Sequence, residues 1–367
     1  MLEALLSIGD LDGLDIAMAD LAAAFPASPL SRLPNLRTWY SQTTTSLQMS
    51  RNLIAGRFDA VEAPVAEVEA ELNETNIARG IGAEFGRTQL AYFRGDWEES
   101  SRSWERARAI VPGAIDVYFG FMTVGSPLPA VREYCERFLE IDRPEVTKAS
   151  NVAVAAEGLR RIDAREASAA YASEFVAHAG FFVTNGTAYF HGSYDTALGI
   201  LLTTARELDR AVRYLEQGVE LCDEIRSPSF GALARLELAT TLRLRNAPGD
   251  DALAAAAAGK ALAAATGLGM HGWVDRIERL RSGDLEWWRL PDDRWARLRG
   301  HSPDKVTRER RQVSPVRRLG TNWLLGRTTG PSCESRAAKY FEDYEVGESF
   351  EHGSVPQDLD RTSQPRQ

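Results

Sequence analysis

The segment Gly267-Leu268-Gly269-Met270-His271-Gly272 has the Gly-x-Gly-x-x-Gly spacing that, in a dinucleotide site, lets a backbone approach a pyrophosphate at a helix N-terminus. That chemistry needs a strand before the glycines. Here the stretch from Asp251 to Thr266 precedes them, with a run of alanines from Ala254 to Ala258, and its composition is that of a helix. The glycines therefore read as a connector between helices, and no cofactor is expected. The run Arg79-Gly80-Ile81-Gly82-Ala83-Glu84-Phe85-Gly86 has the wrong spacing for a dinucleotide site. Metal chemistry fares no better. His178, His191, His271, His301 and His352 form no His-Glu-x-x-His pair, although His178 and His191 are near enough in sequence to share a cleft. Cys135, Cys222 and Cys333 are odd in number and widely spaced, which argues against both a thiolate metal site and a disulfide framework and fits a reducing compartment. No Ser lies in a Gly-x-Ser-x-Gly turn and no Cys in a nucleophile motif. The sequons Asn73-Glu74-Thr75 and Asn185-Gly186-Thr187 matter only in a secreted chain. The expectation is a protein that is not an enzyme.

The elements that carry these residues follow a repeat. Taking Gly9, Gly56, Gly95 and Arg206 as anchors, apolar or small residues recur at offsets of two, five, nine and twelve. The first copy gives Leu11, Leu14, Met18 and Leu21, and the second Phe58, Val61, Val65 and Val68. The third gives Trp97, Ser100, Trp104 and Ala107, and the fourth Leu208, Ala211, Leu215 and Gly218. Such steps put one apolar stripe on one face of a helix. The anchor predicts a short turn after a preceding helix, over Arg37 to Ile54 for Gly56 and Arg79 to Phe93 for Gly95. Helices are also predicted for Tyr194 to Thr204, Ala232 to Leu244 and Asp251 to Thr266. Between Glu133 and Arg165 no copy aligns cleanly, and a degraded repeat is expected. Anchor separations of 47 and 39 residues exceed the roughly 34 of a regular tetratricopeptide repeat. The unit is thus a related but irregular helix-turn-helix, with loops at Pro26, Pro29 and Pro34, at Pro112-Gly113, and at Pro127 to Pro129.

With 367 residues, 44% hydrophobic and 26% charged, the chain can bury a large core. No apolar run approaches the roughly 20 residues needed to span a bilayer, and Glu3 and Asp10 replace the basic start of a signal peptide. Cytoplasm is the expected location, without membrane contact. From Arg294 to Lys339, twelve Lys or Arg face only Asp304, Glu309 and Glu334, so the rest of the chain is far more acidic than the net charge of −9 indicates. Aromatic residues do not alternate with these charges as they would to stack bases, so the stretch reads as a flexible linker and not as a nucleic-acid site. Trp287, Trp288 and Trp295, around Pro291-Asp292-Asp293, are expected to cap the helical stack.

From Glu174 to Leu280 the chain resembles the C-terminal helical-repeat part of large bacterial ATP-dependent regulators, the LuxR-type and MalT-like activators and the ATPases linked to adenylate cyclase domains. The resemblance rests on Gly192-Ser193-Tyr194, Leu198-Gly199, Asp209 to Glu216, Ser227-Pro228, Ala234-Arg235, Pro248-Gly249-Asp250 and Leu268-Gly269-Met270. The repeats from Gly9 to Val111 are similar in style. No Gly-x-x-x-x-Gly-Lys-Ser/Thr loop or helix-turn-helix output signature accompanies them. The resemblance implies a regulator's repeat region without its ATPase and output domains, or a fragment of a broken gene. A second resemblance spans Lys339 to Gly353, whose Tyr340-Phe341-Glu342-Asp343-Tyr344-Glu345-Val346-Gly347 is similar to the opening of MaoC-like enoyl-CoA hydratases. The Asp and His that hydrate in that family lie beyond the matched segment, so hydratase activity is not implied. Codons exist for Pro356 to Thr362 that would read Arg-Arg-Thr-Leu-Thr-Glu, the kind of continuation that family would have, when shifted by one nucleotide; the last dozen residues are expected to be a frameshifted hydratase start, which the gene's nucleotide sequence tests.

The resulting expectation is an all-α fold: an irregular, tetratricopeptide-like right-handed solenoid over 1–280, a Trp-containing cap over 281–300, a basic flexible linker over 301–338 and a MaoC-like segment over 339–367. Its concave face would bind a protein or peptide partner or a small signal, an ATPase regulator encoded upstream being one such partner. First helices of each pair line such a face, which makes Trp39, Tyr40, Gln89, Tyr92, Tyr189, His191, Tyr194 and Arg235 the candidate contact residues.

Overall fold

Each anchor marks a place where a helix must stop and reverse. In the computed structural model, Gly9, Gly56 and Gly95 have φ of 77°, 70° and 75°, and Arg206 has 68°. This left-handed region is free of strain only for a residue without Cβ. At each anchor the N–H bonds the carbonyl three residues back, that of Leu6, Leu53, Tyr92 or Thr203. The next N–H bonds the carbonyl five residues before it, that of Leu5, Asn52, Ala91 or Leu202. These paired bonds are a Schellman turn, which satisfies carbonyls that the helix end leaves without a partner. The repeat seen in the sequence is therefore one turn geometry used again and again.

The structure describes residues 1–70, 77–110, 145–185 and 189–287, with Val131, Arg132, Cys135, Glu136 and Leu139. The loops at Pro112-Gly113 and Pro127 to Pro129, residues 288–300 of the cap, the basic stretch and the hydratase-like segment lie outside the described residues. In chain order the helices are α1 (Leu2–Ile8), α2 (Leu11–Ala27), α3 (Pro34–Ile54), α4 (Asp59–Ala70), α5 (Ile77–Arg94) and α6 (Trp97–Ile110). Then come α7 (Glu145–Arg161), α8 (Arg165–Phe175), strands β1 (Phe182–Asn185) and β2 (Tyr189–Ser193), and α9 (Tyr194–Thr204). The chain continues with α10 (Leu208–Glu224), α11 (Pro228–Arg245), α12 (Asp250–Gly267) and α13 (His271–Arg281). The all-α expectation holds apart from this one small sheet. The stripe is buried where it was expected: Leu14, Val61, Ala211 and Leu215 are fully enclosed, while Met18, Leu21, Trp97 and Leu208 keep partial exposure. Of the expected Pro loop, Pro26 falls in the last turn of α2 and Pro34 starts α3.

One expectation is extended and one needs correction. The turn of the repeat recurs at the end of the stretch from Glu133 to Arg165, and its stripe lies beyond that stretch. Asp163 has φ 53° and makes the same turn, with its own N–H on Arg160 O and the Ala164 N–H on Leu159 O. Ser168, Ala172 and Phe175 then fill the stripe offsets and are buried. The copy escaped notice because its anchor is Asp and its first stripe position is Arg165. Secondly, an antiparallel hairpin interrupts the helices, with Phe182 opposite Ser193, Thr184 opposite Phe190 and Asn185 opposite Tyr189. Its sequence carries the signal: Phe182-Val183-Thr184 and Tyr189-Phe190 flank Asn185-Gly186, β-branched and aromatic residues around a turn dipeptide.

The hairpin sits where the two ends of the array meet. β1 packs on α1 and α7, and β2 on α3, α7, α9 and α10. Phe190 N–H bonds Ser50 Oγ at 3.3 Å, and Gln89 Nε2 donates to Phe190 O at 3.3 Å. In a solenoid each repeat touches only its neighbours. Here α3 also packs on α11, and α5 on α13. The contacts join turn to turn: Ser229 Oγ donates to Leu53 O at 2.6 Å, Ser227 Oγ to Ile54 O at 3.0 Å, and Trp273 Nε1 to Tyr92 O at 2.7 Å. Gly95 and Gly272 meet backbone to backbone, with no room for a Cβ on either. The Gly-x-Gly-x-x-Gly run is thereby explained as a connector. Gly267 ends α12, Gly269 turns at φ 71°, and Gly272 permits the approach to Gly95.

A paired substitution tests that packing. Gly272→Ala should destabilise the fold by about 1–3 kcal/mol through overpacking. Gly259→Ala, on an open face of α12 with nothing near its Cβ position, should stabilise by about 0.5–1 kcal/mol through helix propensity. Denaturant unfolding of both variants checks this, and a shift of the same sign in both contradicts the turn-to-turn contact.

Candidate functional site

The expectation that the candidate contact residues lie on an open surface is corrected by their burial. Gln89, Tyr92, His191 and Tyr194 are 1%, 6%, 6% and 7% exposed, because the C-terminal repeats and the hairpin cover the inner helices. Tyr189 is half-buried, with its hydroxyl 3.3 Å from Ser46 Oγ. Arg235 is held by both oxygens of Asp223 at 2.7 and 2.5 Å. Tyr40 stacks on Phe25 at 4.3 Å and lines an open groove of about 490 Å³ between α2 and α3, with Asp15, Met18, Arg51 and Arg57. The Trp39 side chain lies outside the described residues. His178 packs edge-on against Phe175 and Tyr194 and does not share the surroundings of His191.

Two of the candidates do converge. Tyr92 from α5 and His191 from β2 line a cavity of about 50 Å³ in the interior between the N-terminal and C-terminal repeats. Its other walls come from α7 (Ala153, Val154, Glu157), α9 (Thr196, Ala197, Ile200), α10 (Cys222), α11 (Phe230, Leu233, Glu237) and α13 (Trp273). The hairpin creates the site by carrying His191, Gly192 and Ser193 into it. Gly192, at φ 89°, brings the backbone against the Phe230 ring. The Ser193 hydroxyl caps α9 through Thr196 N–H at 3.1 Å and lies 2.9 Å from Thr196 Oγ1.

Beside the cavity lies a buried charged network that the sequence did not announce. Arg160, 4% exposed, donates to Glu157 Oε2 at 2.5 Å and to Glu237 Oε2. The Arg276 guanidinium stands 4.0 Å from the Trp97 ring centre, 5.1 Å from that of Trp273 and 5.7 Å from that of Trp287. Trp287 is fully buried, with Nε1 donating to Thr240 Oγ1 at 2.9 Å and Arg160 over its ring at 5.0 Å. This tryptophan is the described part of the expected cap, and it packs edge-on against Trp273. Polar neighbours on the same helix faces, Glu157 beside Arg160 and Thr240 and Thr241 beside Glu237, leave no apolar stripe for these charges to interrupt.

Burial sets the protonation states. It holds the His191 imidazole down at about 3, so the ring is neutral and cannot take up a proton near neutral pH. Burial also pushes the Glu237 carboxyl up to about 7, against the pull of Arg160. The Cys222 thiol is pushed up to about 12, which makes it unreactive as a nucleophile. Burial lowers Arg276 to about 9, and it stays charged at neutral pH. Among the described residues no group of three His, Cys, Asp or Glu can hold a metal ion, and no helix is long and apolar enough to cross a membrane. Comparison of the chain with protein-family models, with curated proteins and with solved structures finds no match.

The two shifts act on stability with opposite signs. His191 is depressed from 6.5 to about 3, so its contribution is complete above pH 6.5 and is lost as pH falls toward 3. Glu237 is raised from 4.5 to about 7, so its contribution is complete below pH 4.5 and is lost as pH rises through 7. His191→Gln should therefore flatten the acid side of the stability profile and Glu237→Gln the neutral side. Urea unfolding over pH 4 to 8 separates them, and an unchanged profile in either variant contradicts the burial of that group.

Proposed function

We propose that this chain is a non-enzymatic, tetratricopeptide-like repeat module that senses a small ligand in a bacterial regulatory pathway, in keeping with its resemblance to the repeat region of ATP-dependent regulators. The observation that carries the reading is the interior cavity, where Tyr92, Glu157, His191, Glu237 and Trp273 from four helices and a strand converge. A concave pocket with apolar walls and a few convergent polar groups is the usual form of a small-molecule site. An extended peptide has less support, because the inner helices are already covered by the hairpin and by α11 and α13. Catalysis also has little to draw on: His191 is held neutral and Cys222 is held as a thiol.

Such a ligand would bridge the two ends of the array, since Tyr92 belongs to the N-terminal repeats and Glu237 and Trp273 to the C-terminal ones. Binding would then stiffen their contact and pass to whatever domain the module serves. A thermal-shift screen of the full chain with anionic, neutral and cationic fragments tests this. Hits that disappear in Ala197→Leu or Ala153→Leu, which fill the cavity from α9 or α7, support the reading. A screen in which no hit of any charge depends on those positions overturns it.

A further inference from the structure

Resting on that cavity reading, we infer that the ligand is a small organic cation, a short primary alkylammonium, with its charged head against Glu157 and Glu237. Among the described residues these two carboxylates are the only charged side chains that line the cavity. Each bonds Arg160 through Oε2, and each lines the cavity. The Arg160 guanidinium bridges the two carboxylates. Arg276, a second cation that acts on both Glu157 and Glu237, stands over Trp97 and does not line the space.

The walls suit the same ligand. Tyr92, Phe230 and Trp273 supply aromatic surface, which attracts a cation at a desolvated site. The cluster already holds one cation this way, with the Arg276 guanidinium 5.1 Å from the Trp273 ring centre. His191 remains uncharged and offers no repulsion. Ala197, Ile200 and Leu233 provide apolar surface for an alkyl chain. An anion would face the two carboxylates, and a neutral alkyl group would bring them no donor. A volume of about 50 Å³ holds about four water-sized atoms at roughly 10–15 Å³ each, the size of propylammonium.

Titration calorimetry of the full chain at pH 8, where the Glu237 carboxyl is ionised, decides the assignment with three probes of matched size at equal ionic strength: propylammonium chloride, 1-propanol and sodium propanoate. Propylammonium should bind saturably at one site, at least tenfold more tightly than the other two. Glu157→Gln and Glu237→Gln should each weaken it at least tenfold, and Ala197→Leu should abolish it, with helical circular dichroism confirming that each variant is folded. Should a Gln variant fail to fold, the ranking of the three probes on the unaltered chain still decides. Equal or tighter binding of 1-propanol or propanoate overturns the cationic assignment while leaving the cavity as a ligand site. Absence of propylammonium binding, or binding that survives Ala197→Leu, also overturns the assignment. The cavity reading itself falls only with the wider fragment screen.

Discussion

Backbone meets backbone where Gly95 touches Gly272, and the interior of the molecule depends on that approach. A helix pair ending in a Schellman turn leaves last-turn carbonyls directed outward, and those of Leu53, Ile54 and Tyr92 find donors on the C-terminal repeats instead of in water. Because the turns carry glycine, two turns can approach to contact distance. A side chain at either position would hold the two ends of the array apart, and the cavity between them would open to solvent. The turns after α3 and α5 thus pack on the turns before α11 and α13, with β1 and β2 packed beside them.

That closure explains why charge is buried here at all. Arg160, Glu157 and Glu237 lie in the interior where α7 and α11 both pack on α9. A buried ion pair is weak evidence for stability, since desolvation offsets most of its attraction and apolar replacements often do as well. The structure shows what the pair does in place of stabilising. It fixes both carboxylates at Oε2 and holds them at the edge of a cavity walled by aromatic rings. The tryptophans stacked around Arg276 shield the network from water on its other side, which keeps the local dielectric low and the interactions strong.

Much of the helical framework could be read from residue spacing, because the Schellman turn and the stripe behind it are local. Tyr194 to Thr204 was predicted with the bounds observed, and α3, α5, α11 and α12 to within a few residues. What spacing did not convey was non-local. Asp163 makes the same turn as Gly9, but aspartate in a left-handed turn leaves no mark that sets it apart from a surface aspartate. The hairpin did carry a local signal at Asn185-Gly186, which was read only as a glycosylation sequon. The contact residues were chosen on the premise that inner helices face an open groove. That premise concerns how distant repeats meet, and no periodicity within one helix reports it. Tyr92 and His191 are buried and line an interior cavity.

The same fact bears on how a module of this kind could signal. An open solenoid presents a surface, and a partner that binds it need not change its shape. On the proposed reading, a cavity lined from both the N-terminal and the C-terminal helices would give the module two arrangements, packed together or apart. A ligand held by both ends favours the first by its differential affinity for it. His191 and Glu237 bias that choice in opposite directions along the pH scale, because one must remain neutral and the other gives up its proton only near neutrality. A cation that offsets the ionised Glu237 would then strengthen closure most above pH 7, where the fold alone loses that contribution. The proposed ligand and a proton would thus compete for the Glu237 carboxylate.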